Sequence, residues 1–139
     1  MKSVVPFLLS VIFISTTWSI DQAKITAEVL SKGTTSWDGS SLPSYPKGQP
    51  EITILKVTIP GQTTLKWHKH PIINAGYMLK GELKVESENN DVLYLKPGDT
   101  IVELIDTWHH GVNESDKPVE IIVFYAGEVG SPLSIIKED

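Results

Sequence analysis

Histidine is where the chemistry of this sequence concentrates. The chain has four, in two tight groups: His68 with His70, and His109 with His110. Imidazole is the common nitrogen ligand of Zn, Fe, Mn, Ni and Cu. His68 and His70 are two apart in a stretch that reads as a strand, where alternate side chains share a face. A pair so spaced is half of a metal site, and its parity carries on to Asn74, Gly76 and Met78. The other half must come from a different strand. His109 or His110 can supply it, but only one of them, because neighbours on a strand face opposite ways. Without a metal, the same residues would be a polar outer face with a His-Lys-His run and an unrelated His-His pair. Glu103 has the parity of His109, provided no bend intervenes. It is a candidate general base or a partner that orients a ligand histidine, against the plainer reading of a solvated strand carboxylate. Trp67 and Trp108, each just before a histidine, alternate outward, with core packing as their ordinary use. Tyr77 and Tyr125 read as core residues rather than catalytic phenols.

These side chains need strands to hold them, and the surrounding sequence supplies little else. Glu51–Ile59 is rich in β-branched residues, with Leu55, Val57 and Ile59 on one face. Pro60-Gly61 ends it. Further strands are expected over Leu65–His70, Asn74–Leu79, Gly81–Ser87, Val92–Leu95, Thr100–Ile105, Thr107–Val112 and Val119–Gly127. Lys80-Gly81, Glu88–Asp91, Pro97-Gly98-Asp99 and Asn113–Pro118 read as the turns between them. No segment here keeps a helical period over three turns. The pattern describes an all-β protein, a closed or nearly closed antiparallel jelly-roll barrel that leaves few exposed edges. Ile25–Leu30 alternates and is expected to form a first strand. Gly33–Gln49 is rich in Ser, Thr, Gly and Pro; it is expected to strap the barrel, because Trp37, Leu42 and Tyr45 give it something to bury. The reading divides the chain into residues 20–50 as N-terminal strand and loop, 51–128 as barrel and 129–139 as a mixed tail.

Composition narrows the class. A length of 139 residues suits one domain with a real core. The net charge is −5 and no basic block stands out, so nucleic acid is not an expected partner. The absence of cysteine removes disulfides, thiolate ligands and cysteine nucleophiles together. Every basic residue is Lys; without the two-point grip of Arg, a phosphosugar or nucleotide-sugar pocket is less expected. The start of the chain has the order of a secretory signal peptide: Met1-Lys2, then apolar Val4–Ile14, then small polar residues. The apolar run is short of the roughly 20 residues a membrane helix needs. Residues 1–19 are therefore expected to be a signal peptide, leaving no stable membrane span once cleaved and a periplasmic or secreted protein. An uncleaved anchor is the alternative.

The residues now assembled resemble the cupin superfamily, and specifically its small single-domain members. The first cupin motif runs Gly, a spacer, His-x-His, Glu and a closing Gly. Here Gly61 precedes His68-Lys69-His70 with one residue more than the usual gap, and Gly81 closes the motif inside YMLKGEL. Asn74 stands where the motif has Glu. In the second motif Gly98-Asp99 opens, His109 falls in register and Asn113 closes, with Leu104 in place of the usual Pro and Asp106 in place of the usual Gly. The resemblance spans about Glu51 to Gly127. It implies one divalent transition metal (Fe, Mn, Ni, Zn or Cu) on His68, His70 and His109, which selects His109 over His110. Asn74 would be a weaker neutral fourth ligand or a group that orients water. Three neutral ligands leave the full 2+ charge and open positions, as in some cupin dioxygenases, so an anionic substrate can reach the metal directly. Asn113-Glu114-Ser115 fits a glycosylation sequon, but as Asn113 closes a cupin motif it reads as a turn residue. The implied functions are a metal-dependent oxygenase, isomerase or lyase acting on a small molecule, or a non-catalytic barrel that binds or senses a small ligand or metal. A storage barrel of the seed type fits less well, given the single domain and the retained histidines. Many cupins are dimers through edge strands, so a homodimer is also implied.

Overall fold

A computed structural model describes residues 24–138; the expected signal peptide lies outside them. The chain forms β1 (Pro50–Ile59), β2 (Thr63–Thr64), β3 (His68–Lys69), β4 (Ile73–Lys80), β5 (Leu83–Ser87), β6 (Val92–Leu95), β7 (Thr100–Val102), β8 (His109–Asn113), β9 (Val119–Glu128) and β10 (Ile135–Ile136). No helix occurs among the described residues, and hence none long and apolar enough to cross a membrane. One sheet has the order β1-β9-β4-β7; the other has β10-β3-β8-β5-β6, with β2 also on β8. Every pairing of named strands is antiparallel. The two sheets make the expected jelly-roll barrel.

The core follows the period-2 pattern of the long strands. In β4, Asn74, Gly76 and Met78 are buried while their neighbours are partly buried or exposed; in β9, Val119, Ile121, Val123 and Tyr125 are buried. Ile59, Leu83, Val85, Leu95 and Ile101 complete the packed interior. Full burial of each such aliphatic side chain is worth about 1.5–3 kcal/mol. Gly76 has no room for a side chain: a Cβ would lie 2.8 Å from Ile121 Cδ1. Gly81 turns the chain between β4 and β5 at φ 75°, a conformation that favours glycine. Asn113 is the staple of the second motif. It donates from Nδ2 to the carbonyls of Ile59, Pro60 and Lys117 at 3.1, 2.9 and 2.8 Å, and its Oδ1 accepts from Ser115. A fully buried amide that ties the end of β1 to the loop after β8 is a turn-fixing residue, as its place in the motif implied.

Several expectations need correction. Ile25–Leu30 is not a strand; Ile25, Val29 and Leu30 are exposed and the segment finds no ladder partner. Alternation states a preference, but a strand exists only where a sheet edge accepts it. The strap does form, through Trp37 N donating to Val102 O at 3.0 Å and Trp37 packing on the core, yet Tyr45 is 76% exposed and buries little. Of the expected Leu65–His70 strand only His68–Lys69 forms, as β3, while Thr63–Thr64 just before it forms β2. The expected Thr100–Ile105 strand stops at Val102, and beyond it Ile105 makes an isolated parallel bridge to His70. Asp106 has φ 53°, which accounts for glycine being usual at that place in the motif; Asp is among the residues that tolerate this conformation. Thr107 and Trp108 lie outside β8, which starts at His109. Tyr77 is partly buried on the outer face of its sheet, since its parity is opposite to that of Gly76 and Met78.

Candidate metal centre

His68 and His109 are direct cross-strand partners on β3 and β8. His70 follows two residues after His68 and keeps its facing although the ladder ends at Lys69. The rings converge, with centroids 5.1 Å apart for His68–His70, 4.7 Å for His68–His109 and 5.0 Å for His70–His109. One nitrogen from each ring lies within 4.8 Å of the other two, close enough for the three to share an ion.

The hydrogen bonds decide which nitrogens face the shared point. Each Nδ1 lies 2.8 Å from a backbone carbonyl: Lys66 for His68, Leu133 for His70 and Thr107 for His109. A carbonyl only accepts, so each Nδ1 carries the proton and donates, and each Nε2 keeps its lone pair. This is the arrangement by which backbone groups orient ligand imidazoles in metal sites. Burial reinforces it by disfavouring the charged ring. Desolvation lowers the pKa of all three, that of His70 to about 4. His109 Nε2 is buried with no hydrogen-bond partner, so its lone pair is free for an ion at the point the three rings share. The donor set therefore fits a divalent transition metal on chemistry and geometry alike.

Glu103 keeps the inward parity of Ile101 beyond the end of β7. Its Oε2 is 3.5 Å from His109 Nε2 and has no hydrogen-bond partner. Burial pushes its carboxyl up to about 7. Asn74, the other residue expected here, is 1% exposed; its Nδ2 donates to Ile72 O at 3.1 Å while its Oδ1 has no partner. It does not line the cavity at the histidines.

The cavity at the histidines has a volume of about 280 Å³. Its walls are mostly apolar, among them Val57, Leu65, Val123 and Ile136. Among the described residues that line it, Glu103 is the only acid. Tyr125 is both core and cavity wall: its ring is 5.7 Å from that of His70, and burial, helped by the Glu103 charge, raises its phenol to about 12. It is therefore a neutral donor at ordinary pH. Sequence reasoning missed Lys66, Ser134 and Ile136 as cavity residues, and missed that the tail supplies the carbonyl that orients His70. The only signal for the tail was the apolar pair Ile135-Ile136, which pairs as β10 with β3.

His110 turns the other way, as neighbours on a strand must. Its ring stacks on Trp67 at 4.2 Å, and its Nε2 is 3.0 Å from Glu86 Oε2. Trp108 lies under Lys69 and Lys137, whose amines are 5.3 and 5.6 Å from its ring. The expected core role of the two tryptophans is thus corrected: they point outward and pack on histidine and lysine on the outside of the sheet.

The cupin domain family matches residues 55–125, half of the chain. No curated protein sequence matches. Solved structures share the fold. The DMSP lyase DddQ from Ruegeria pomeroyi DSS-3 is 21% identical with a TM-score of 0.55, over 62% of this chain and 43% of that one. An oxalate decarboxylase from Lactobacillus farciminis, in a formate complex, is 23% identical with a TM-score of 0.53, over 61% of this chain and 26% of that one. An oxalate oxidase in complex with the substrate analogue glycolate is 20% identical with a TM-score of 0.52, over 61% and 45%. The chain matches less than half the length of each.

Proposed function

The chain belongs to the cupin domain family, and on that footing we propose that it is a metal-dependent enzyme acting on a small carboxylate. One divalent transition metal (Fe, Mn, Ni, Zn or Cu) would sit on His68, His70 and His109. The observation that carries this reading is the common orientation of the three rings, each with Nδ1 committed to a carbonyl and Nε2 left for a shared ion. When bound, such a cation supplies Lewis-acid polarisation of a coordinated oxygen.

The chain's own residues favour a small acid. A cavity of about 280 Å³ suits a molecule of a few heavy atoms. Lys66, at the cavity, attracts an anion as a point charge, and there is no Arg in the chain to grip a phosphate in two-point fashion. The apolar walls limit water, the neutral Tyr125 phenol can donate to a substrate oxygen, and Glu103 is the site's carboxylate. Neighbours of the same fold include a decarboxylase and an oxidase of oxalate, the latter seen with glycolate, and a DMSP lyase, so lyase or oxygenase chemistry is the class we assign. Export through residues 1–19, and a homodimer using the exposed Ile52, Ile54 and Phe124 of the outer sheet face, belong to the same proposal.

The test is a panel of small acids, with oxalate, glycolate, lactate and malonate first, added to the Mn(II)- or Fe(II)-loaded protein with and without oxygen. At least one acid should perturb the electron paramagnetic resonance of the metal and be converted. Perturbation without conversion would favour the non-catalytic binding barrel. No perturbation by any acid would overturn the substrate class.

A further inference from the structure

Glu103 and His109 present a chemical contradiction. His109 Nδ1 donates to Thr107 O, so its Nε2 is an acceptor. Glu103 Oε2, 3.5 Å away, is an acceptor too when ionised. Both atoms are buried and neither has another partner. Two lone pairs facing one another at low dielectric repel unless a proton or a metal cation lies between them, and 3.5 Å is long for the hydrogen bond that a protonated carboxyl would make. Two ligand atoms on one metal, each about 2.1 Å from it, are roughly 3.4 Å apart, close to the separation of Glu103 from His109. The three histidine nitrogens lie within 4.8 Å of one another and Glu103 stands outside that set, so its carboxylate has to swing toward His68 and His70 to share the ion.

The position of Glu103 in the fold gives the pair a further meaning. Its backbone N donates to Asn74 O at 3.1 Å, so position 103 is tied across the sheet to position 74, where the cupin pattern has a glutamate. Ser36 Oγ, from the strap, donates to Glu103 O at 2.8 Å and fixes the same backbone from the other side. A carboxylate at 103 thus enters the site beside the place a carboxylate at 74 would occupy. Asn74 cannot supply charge, and its Nδ2 is turned to Ile72 O.

We propose that Glu103 is the fourth protein ligand of the metal, the carboxylate having moved across the sheet from position 74 to position 103. This rests on the reading of His68, His70 and His109 as metal ligands. It changes the expected chemistry: the site carries three neutral ligands and one anion rather than the full 2+ charge of a three-histidine site, so its Lewis acidity is reduced.

The test uses Co(II) added to the metal-free full chain, read by visible absorption and by competition titration, with His68→Ala, Glu103→Gln and the double variant Glu103→Gln/Asn74→Glu. Glu103→Gln should weaken Co(II) binding by ~100-fold and shift its d–d bands, because an anionic oxygen is lost; loss of a partner outside the coordination sphere costs only about 10–100-fold and leaves the bands in place. The double variant should regain at least tenfold in affinity, by restoring a carboxylate from the other strand. His68→Ala should lose binding altogether. If His68→Ala binds like the natural protein, the metal reading itself fails. If His68→Ala loses Co(II) but Glu103→Gln keeps its bands, whatever its change in affinity, the metal stands and the fourth-ligand assignment falls, leaving Glu103 as a group held off the metal. Circular dichroism of each variant separates these outcomes from misfolding. Should Glu103→Gln not fold, Glu103→Asp, which keeps the charge on a shorter arm, must still shift the bands for the assignment to hold.

Discussion

His109 and His110 are adjacent in β8 and live under opposite rules. The inward ring has one nitrogen held by a carbonyl and the other left without a partner, facing two more imidazoles and a carboxylate. The outward ring is stacked on Trp67 and bonded to Glu86, whose carboxylate is also held by Lys84 at 2.6 Å. On the outside, His110 Nε2 is bonded to Glu86, and the ring's buried Nδ1 is left without a partner but faces no other acceptor of the triad. On the inside, two buried acceptors, His109 Nε2 and Glu103 Oε2, face one another unpartnered, which costs stability in the absence of a cation. That asymmetry, between residues of the same type one position apart, separates a binding site from a surface cluster.

The sharpest way to break the comparison is to truncate the two rings separately. His109→Ala should weaken metal binding by ~1000-fold or more, whereas His110→Ala should leave it within about threefold, measured by competition with a chelating dye. Equal losses would mean that the two faces are not distinct. A second effect comes from metal linkage. A cation bound only by the folded state, at a thousand times its Kd, adds about 4 kcal/mol of stability. Chelation should therefore lower the thermal midpoint of the natural protein and leave that of His109→Ala unchanged.

Acid supplies a third test. Burial holds His70 at about 4 and keeps His68 and His109 below the usual imidazole value of 6.5, which the unfolded chain retains. In that window the unfolded chain binds more protons, so this contribution is intact above pH 6.5 and is lost as the pH falls toward 4. Glu103, raised from 4.5 to about 7, runs the other way, since in the fold it keeps a proton that the unfolded chain releases. The two effects oppose one another between pH 7 and pH 5. In the metal-free protein, His70→Asn should shift the change in thermal midpoint between pH 7.5 and pH 5 toward stabilisation at the acid end, and Glu103→Gln should shift it toward destabilisation; a slope that neither variant alters would contradict the burial argument. The smallest effect is on the outer face, where Trp67→Ala should cost about 1 kcal/mol of stability through the lost stack on His110 and leave metal affinity alone.

The same contrast marks what the sequence disclosed. Regular strands were legible because alternation and burial agree: Asn74, Gly76 and Met78 in β4, and Leu83 and Val85 in β5, point where their parity says. The histidine triad was legible for the same reason, helped by the motif that selects His109. Breaks in regularity were not. The stop after Val102, the left-handed Asp106 and the fragmentation around Trp67 depend on pairings with distant segments, which no local pattern encodes. The tail was opaque because two apolar residues do not announce a strand; its value lies in the Leu133 carbonyl, and a backbone atom has no signature in side-chain spelling. The tryptophans were misassigned because an aromatic residue on an outer face can be covered by a neighbouring ring and lysine stems as well as by a core.

The central claim is that three imidazoles share one cation. Elemental analysis of the protein purified without added metal or chelator, beside His68→Ala prepared identically, tests it most directly. About one equivalent of a transition metal in the natural protein, and essentially none in the variant, is the predicted result. No metal in either protein after incubation with Fe(II), Mn(II), Ni(II), Zn(II) and Cu(II) in turn, or equal metal in both, would contradict it.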